Sequence, residues 1–336
     1  MKKTTAIILS LILLISVFTG CTKKEAEKLS SDINSDIQAV KTLVKVAGLK
    51  GPTGIGMVNM MEKSDEEKLL NRYEFTLVAA PDEIVGKVSS GQIDIAAVPT
   101  NLAATLYEKT NKGVQMLALN TMGMMYILQK DASITKVSDL KGKTVTLHGK
   151  GSTPEFVLRH ILTKNNLDPD KDVTIKFLDE HSEVATQALA GQADIVLVPE
   201  PFVTQITTQN AAFSPVIDLS KEWENLDAGD FSMGCIIARS EFVSQHKSAV
   251  DTFLNEYKTS VEAATSDVEK TAALCEKYGV IAKAEVAKKA IPNCKIVFID
   301  GDEMITKTKP YYQILFDADP KSVGGAIPDD AFYYKK

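Results

Sequence analysis

The sequence predicts an α/β protein built as two similar lobes, and three observations carry that prediction. Short β-branched runs alternate with amphipathic helical patterns over most of the chain. One ten-residue segment recurs, SGQIDIAAVP at 90–99 and AGQADIVLVP at 190–199. Gly91, Gln92, Asp94, Ile95, Val98 and Pro99 thus return 100 residues later as Gly191, Gln192, Asp194, Ile195, Val198 and Pro199. Some 40 residues upstream of each copy lies a glycine-containing strand-to-helix loop, GPTGIGM at 51–57 and GKGSTPE at 149–155. Two copies in matching context read as a duplicated unit rather than an array.

The elements follow in order. VKVAGL (44–49) reads as a buried strand and EFTLVAA (74–80) as a second. PDEIVGKVSSG then places Ile84, Val85 and Val88 on one helical face. IDIAAVP, VQMLALN and MMYILQK follow as strands, and later KTVTLHG, VTIKFLD, ADIVLVP and GCIIARS. This alternation implies βαβ units and mostly parallel sheets. Four helical segments close the chain, around EFVSQHKSAVDTFLNEYKTSVEAA, DVEKTAALCEKYG, KAEVAKKAI and DEMITKTKPYYQILF, with Pro310 starting or kinking the last.

The first twenty residues set the compartment. Lys2 and Lys3 precede an apolar run from Ala6 to Phe18, broken by Ser10 and Ser16. That run is too short to cross roughly 30 Å of hydrocarbon as a helix, so residues 1–20 read as a signal peptide. Thr19-Gly20 before Cys21 resembles a bacterial lipoprotein signal, with Phe18 where Leu is usual. Cys21 is then the lipidated residue, and its acyl chains would hold the protein at a membrane surface. The polar stretch 21–43 reads as a tether.

Composition removes several function classes. The 336 residues are 44% apolar and 24% charged, as in ordinary globular proteins, and the length favours more than one lobe. Loss of Lys2 and Lys3 leaves 36 cations against 44 carboxylates, a net of −8. An acidic chain without a basic block suits neither nucleic acid nor a polybasic contact with lipid. His148, His160, His181 and His246 are scattered, and Cys235, Cys275 and Cys294 form no C-x-x-C, so no zinc spacing exists. Cys275 and Cys294 could pair, or stay as buried thiols. Gly142-Lys143-Thr144 lacks the upstream glycine of a P-loop, Gly149-Lys150-Gly151 lacks the rest of a dinucleotide fingerprint, and no G-x-S-x-G occurs. No cofactor is implied. Met122, Met124 and Met125 read as core filling, and His148 as a structural histidine beside a glycine loop.

Ligands of parallel sheets bind beyond the carboxyl ends of strands, so the loops there are the candidate site. After the first strand, Pro52, Thr53 and Gly54 open a helix, with Thr53 as its N-cap. In the second lobe Gly151, Ser152 and Thr153 have the same design, Ser152 or Thr153 capping and Pro154 in the first turn. Backbone N–H groups at such helix starts favour an acceptor-rich or anionic group. The repeated strands lead to Thr100-Asn101 in one copy and Glu200-Pro201-Phe202 in the other. Glu200 either receives a ligand N–H or stiffens its own loop. Asn120-Thr121 sits where the chain leaves the first lobe. No arginine lies in these loops, and Phe202 is their single aromatic residue. That composition suits a small sulfonate, carboxylate or phosphate better than a stacked pyrimidine or flavin.

Taken together, the lipobox-like start, GPTGIGM, SGQIDIAAVPTNLA, LALNTMGMMYIL, SDLKGKTV, GKGSTPE, GQADIVLVPEP and DPKSVGGAIPDDAFYY resemble the nitrate, alkanesulfonate, taurine and thiamine-precursor group of ABC-transporter solute-binding proteins. The resemblance spans about residues 44–334. It implies a type II periplasmic-binding-protein fold with a two-crossover hinge. Residues 44–121 and 236–336 would form lobe one, and 122–235 lobe two, with crossings near 120–126 and 231–237. It also implies a ligand between the lobes, held by Thr53, Gly54, Thr100, Asn101, Asn120, Thr121, Ser152, Thr153 and Glu200, with Pro52, Gly151 and Pro201 shaping the loops. The expected partners are a small-molecule ligand, an ABC permease with its ATPase, and the membrane through the lipid; a monomer without catalytic residues is expected. A lipid-anchored sensor of the same fold is the alternative, followed by an enzyme of the menaquinone-precursor or pyrimidine-precursor type.

Overall fold

The computed structural model describes residues 41–131, 133–226 and 231–336; the signal peptide, Cys21 and most of the tether lie outside these residues. β1 (Leu43–Leu49) starts one residue inside the expected tether, pairing Leu43 with Arg72 of β2 (Arg72–Val78). β3 (Ile95–Pro99), β4 (Val114–Met122), β10 (Ser232–Arg239) and β11 (Ile296–Ile299) complete a six-stranded sheet of order β11-β4-β10-β3-β1-β2. The second sheet has the order β7-β6-β8-β5-β9. Its strands are β5 (Met125–Lys130), β6 (Thr144–His148), β7 (Thr174–Leu178), β8 (Ile195–Pro199) and β9 (Phe213–Asp218).

Both sheets are mixed, which corrects the expectation of mostly parallel ones. In the first, β1 runs parallel to β2 and β3, but β10 is antiparallel to β3 and β4. In the second, β6 runs parallel to β7 and β8, but β5 is antiparallel to β8 and β9. In each sheet the first strand after the chain changes sheets is reversed, and in the first sheet β11, antiparallel to β4, is reversed as well. A strand that arrives from the other lobe needs no crossover helix, so nothing forces it to be parallel. β9 and β11 are absent from the sequence reading: Pro215 interrupts the one, and the other is only four residues long.

The duplicated segments occupy equivalent places. α3 (Pro81–Ser89) and α6 (His181–Leu189) each end in a glycine with positive φ, 73° at Gly91 and 70° at Gly191. Gly91 N donates to Val88 O and Gly191 N to Ala188 O, both at 3.1 Å. Gln92 N and Gln192 N reach back to Lys87 O and Gln187 O, both at 2.9 Å. Only glycine enters this left-handed C-terminal turn without steric cost, which explains its recurrence.

The chain changes sheets between Met122 and Met125, and returns before Ser232. Met122 and all of β10 belong to the first sheet, so the expected limits at 122 and 235 fall inside its strands. The closing segment begins as two helices, α9 (Ser240–Gln245) and α10 (Lys247–Ser266), divided at His246. α11 (Val268–Lys277) follows, its first turn capped by the Asp267 carboxylate on Lys270 N, and then α12 (Ala284–Ala290). α13 (Gly301–Ala318) holds Pro310 in its interior rather than at its start. One hydrophobic core runs through residues of both sheets. A smaller cluster around Val184, Val196, Val203 and Phe213 covers one face of the second sheet. Cys235, Cys275 and Cys294 are buried free thiols, which leaves no disulfide among the described residues. No helix among them is long and apolar enough to cross a membrane.

Candidate functional site

Strand ends of the two sheets converge on a cavity of about 90 Å³. The first lobe contributes Lys50, Pro52 and Thr53 after β1, Pro99 at the end of β3, and Met233 of β10. The second contributes His148 at the end of β6, Ser152 and Thr153 at the start of α5 (Thr153–Lys164), His181 at the start of α6, and Pro199 closing β8. An outer recess of about 300 Å³ adjoins it and shares Pro81, Pro99, His148 and Ser152. Its further walls include Asp82, Asn101, Lys150, Gly151, Phe177 and Asp179.

The helix starts differ from the expected caps. α1 (Pro52–Ile55) has Gly51 at its N-cap, so Thr53 lies inside the helix, buried, with its carbonyl accepting from Asn120 Nδ2 at 3.2 Å. Gly54 is fixed by space: a Cβ there would stand 2.4 Å from Leu49 O. Ser152 does occupy the N-cap of α5, but its hydroxyl turns back to donate to Gly149 O at 2.5 Å. The Glu155 carboxylate accepts from Gly151 N at 2.7 Å and from Arg159 Nε at 2.7 Å. It thereby holds one of the amides expected to face a ligand.

Asn101 spans the cleft. Its Oδ1 accepts from Thr153 Oγ1 at 3.0 Å, and its Nδ2 approaches Gly151 O at 3.5 Å and Ser322 O at 3.4 Å. Thr153 Oγ1 accepts in turn from Tyr311 OH of α13 at 3.3 Å. Pro52, Thr53, Ser152 and Thr153 therefore line the inner cavity, and Asn101 and Gly151 the outer one.

The other candidates lie off both walls. Thr100 opens α4 (Thr100–Lys109), its hydroxyl 2.7 Å from Ser232 Oγ and its carbonyl accepting from Tyr312 OH at 2.8 Å. Asn120 Oδ1 and Thr121 Oγ1 are buried beneath α1 without a hydrogen-bond partner. Glu200 follows the conservative alternative: its two oxygens accept from Thr204 N at 3.0 Å and Thr204 Oγ1 at 3.1 Å. Burial raises its carboxyl above the usual range, against the lowering effect of those bonds. Pro201 is buried, and Phe202 opens α7 (Phe202–Gln209) with its ring 5.4 Å from that of His181.

Two imidazoles outside the expected site, His148 and His181, stand on the inner wall. The rings of His148 and His181 are 4.4 Å apart, and the Nδ1 atom of each is buried without a partner. Burial lowers the basicity of both, farther for His181, which also feels His148. His181 follows a strand, as do the loops that were singled out; strand-end position was the available signal, and the wide sequence gap between the two histidines hid their pairing. The three arginines are elsewhere. Arg159 pairs with Glu155 and Asp170, Arg239 with Asp94 and Glu241, and Arg72 is exposed on β2. A larger groove, of about 770 Å³, runs between α5 and the end of α13, away from the converging strand ends. Among the described residues no group of three or more His, Cys, Asp or Glu side chains could hold a metal ion.

Residues 64–273, more than half of the chain, match the sequence family described as periplasmic substrate-binding proteins of phosphonate ABC transporters. The chain belongs to that family. As a member it is the solute-binding component of an ABC importer, extracytoplasmic and not an enzyme. None of the curated proteins compared matches it. Solved structures agree on the fold. An ABC transporter protein from Parabacteroides distasonis superposes with a TM-score of 0.74 at 23% identity, covering 88% of this chain and 100% of that one. The periplasmic aliphatic sulphonate-binding protein SsuA of Escherichia coli gives 0.70 at 14% identity, covering 87% and 92%. The nitrate-binding protein NrtA of Synechocystis PCC 6803 gives 0.58 at 14%, covering 79% and 74%. These are type II periplasmic-binding-protein folds, and the two-lobed, twice-crossed topology of this binding protein is of that kind.

Proposed function

We propose that this binding protein captures a small anion of the phosphonate or sulfonate kind between its lobes and delivers it to a membrane permease. The observation that carries the reading is the Thr153–Asn101 hydrogen bond, which joins the lobes where the outer recess at Asn101 meets, at Thr153, an inner cavity of about 90 Å³. That volume is about three water molecules' share of the liquid, the scale of one oxyanion head group. Its polar lining includes Lys50, the Thr53 hydroxyl and two imidazoles, groups that can donate to acceptor oxygens, while Ser152 and Thr153 give their protons to Gly149 O and Asn101 Oδ1. The names of the matched family and of the SsuA and NrtA structures point to the same ligand chemistry. The outer recess of about 300 Å³ takes whatever substituent the head group carries.

Contacts from both lobes coexist only when the lobes are closed, so the ligand shifts the population toward that form. The lobes are residues 43–122 with 232–336, and 123–231. Thr53, Ser152 and Thr153 supply the inner contacts, with Asn101 closing over them. Asn120, Thr121 and Glu200 support the walls from behind. Cys21 carries the lipid, residues 22–42 form the tether, and the protein works as a monomer with a permease and its ATPase.

Native mass spectrometry of gently purified protein, followed by thermal shift with methylphosphonate, methanesulfonate and nitrate, tests the reading. A retained small oxyanion, or stabilisation reaching about 2.7 kcal/mol at a hundredfold excess over Kd, is the expected result. A retained neutral or cationic solute, with no response to any of the three anions, overturns it.

A further inference from the structure

We propose that His148 and His181 act together as a proton-accepting receptor for the anion, so that solute capture takes up a proton from solvent. This rests on the anion reading above and adds how the charge is met. The two rings come from different elements, one ending β6 and the other opening α6, yet their centroids are 4.4 Å apart and both form the inner wall. Both Nδ1 atoms are buried without a partner. A buried polar atom left unpaired is costly, and native structures keep few of them. Both rings line the inner cavity, and a head-group oxygen that turned them toward it would give these atoms a partner.

The charge balance points the same way. A buried anion is stable only beside a compensating charge. All three arginines lie away from the inner wall, which offers one cation, the exposed Lys50. The other charged groups facing the pair are Lys150 before α5, Asp82 on α3, and Asp179 and Glu180 before α6. Glu200, near Phe202, is committed to Thr204. The acids on the far side favour a protonated ring but also repel an anion. A protonated imidazole therefore does what none of these fixed groups does: it brings positive charge to the cavity only when the anion is there. Two rings this close hold one added proton between them, since a second would meet a like charge.

The sign is definite. Burial keeps both rings neutral near pH 7 in the empty cleft, and a bound anion raises their proton affinity. Affinity then climbs as pH falls through the bound pKa, by at most about tenfold per pH unit, and levels off below the free pKa.

Titration calorimetry of methanesulfonate and methylphosphonate, between about pH 5.5 and 7.5 around the ordinary histidine value, checks this. Buffers of different ionisation enthalpy count the protons. The sulfonate stays ionised throughout, so its count belongs to the protein. The expected result is uptake of up to one proton and an affinity that rises on acidification. His148→Asn and His181→Asn should flatten that rise, and His246→Asn, on the surface, should leave it intact. Binding of either probe with no proton uptake and a flat profile overturns the proposal while the anion reading stands. Failure of both probes at every pH, with a neutral or cationic solute retained on purification, overturns both. Should the cleft variants not fold, ring-nitrogen NMR of the unaltered protein decides: the bound anion must raise the titration midpoint of the pair, and an unmoved midpoint refutes the claim.

Discussion

Gly123 N donates to Phe231 O at 2.9 Å, tying the outgoing crossover of the chain to the returning one. The Phe231 ring lies over the same glycine, with three ring atoms 2.4 to 2.6 Å from where a Cβ would stand. Phe231 packs in turn on Trp223 of α8 (Leu219–Glu224), whose ring is 6.0 Å from that of Tyr311. A packed aromatic cluster therefore stands where Gly123 and Phe231 bring the two crossings together.

Gly123→Ala should displace the Phe231 ring. Overpacking of this kind costs about 1–3 kcal/mol, read as a lower midpoint in urea unfolding with an unchanged m-value. A midpoint equal to that of the unaltered protein would mean the ring moves freely.

Asn101→Ala and Thr153→Ala should each weaken solute binding about fivefold, the equivalent of one net hydrogen bond near 1 kcal/mol. Because one bond joins them, the double variant should lose little more than either single one. Additive losses in titration calorimetry would show that the two act separately.

The duplicated aspartates should differ. Arg239 N donates to Asp94 O, and Lys130 N to Asp194 O, both at 2.9 Å, so the backbone design is shared. Only Asp94 also carries a guanidinium, Arg239 Nη2 at 2.9 Å, together with Lys45 N at 3.0 Å on its other oxygen. Asp94→Asn leaves that half-buried cation with only the exposed Glu241 as a carboxylate partner and should cost about 2 kcal/mol. Asp194→Asn, on an exposed side chain, should stay within about 0.5 kcal/mol in the same unfolding assay.

Glu200 sets a pH dependence. Its carboxyl is raised by burial, so the folded state holds this proton more tightly than the unfolded chain does. The stability this adds is fully present below the unfolded value of 4.5 and is lost as pH rises through the raised folded value. Glu200→Gln should remove that slope while keeping an acceptor for Thr204 N. Urea midpoints measured across the acid range give the comparison, and identical slopes would contradict the burial argument.

Cys21→Ser should block lipidation and processing, so that precursor with its signal segment retained accumulates. Unchanged processing would dismiss the lipidation.

Much of the fold was legible because it is written in local patterns. The 90–99 and 190–199 segments announced the duplication, and their glycines recur for a conformational reason that any sequence displays. Pro52, Thr53, Ser152 and Thr153, all in strand-end loops, line the inner cavity. Side-chain direction within those loops was not legible. Thr100 and Asn101 are neighbours, yet one hydroxyl turns to Ser232 and the other side chain spans the cleft, a choice set by the packing of α4 against β10 and α13.

By itself, then, the sequence determined two α/β halves, strand-end loops without arginine and a solute-binding family resemblance. These depend on periodicity, turn chemistry and residue type, which act over a few positions. Only the tertiary structure decided that β5 and β10 insert antiparallel, that Glu200 serves its own helix, and that His148 and His181 meet. Those outcomes depend on contacts between segments far apart in the chain, where burial and the pairing of polar atoms, rather than local preference, select the arrangement.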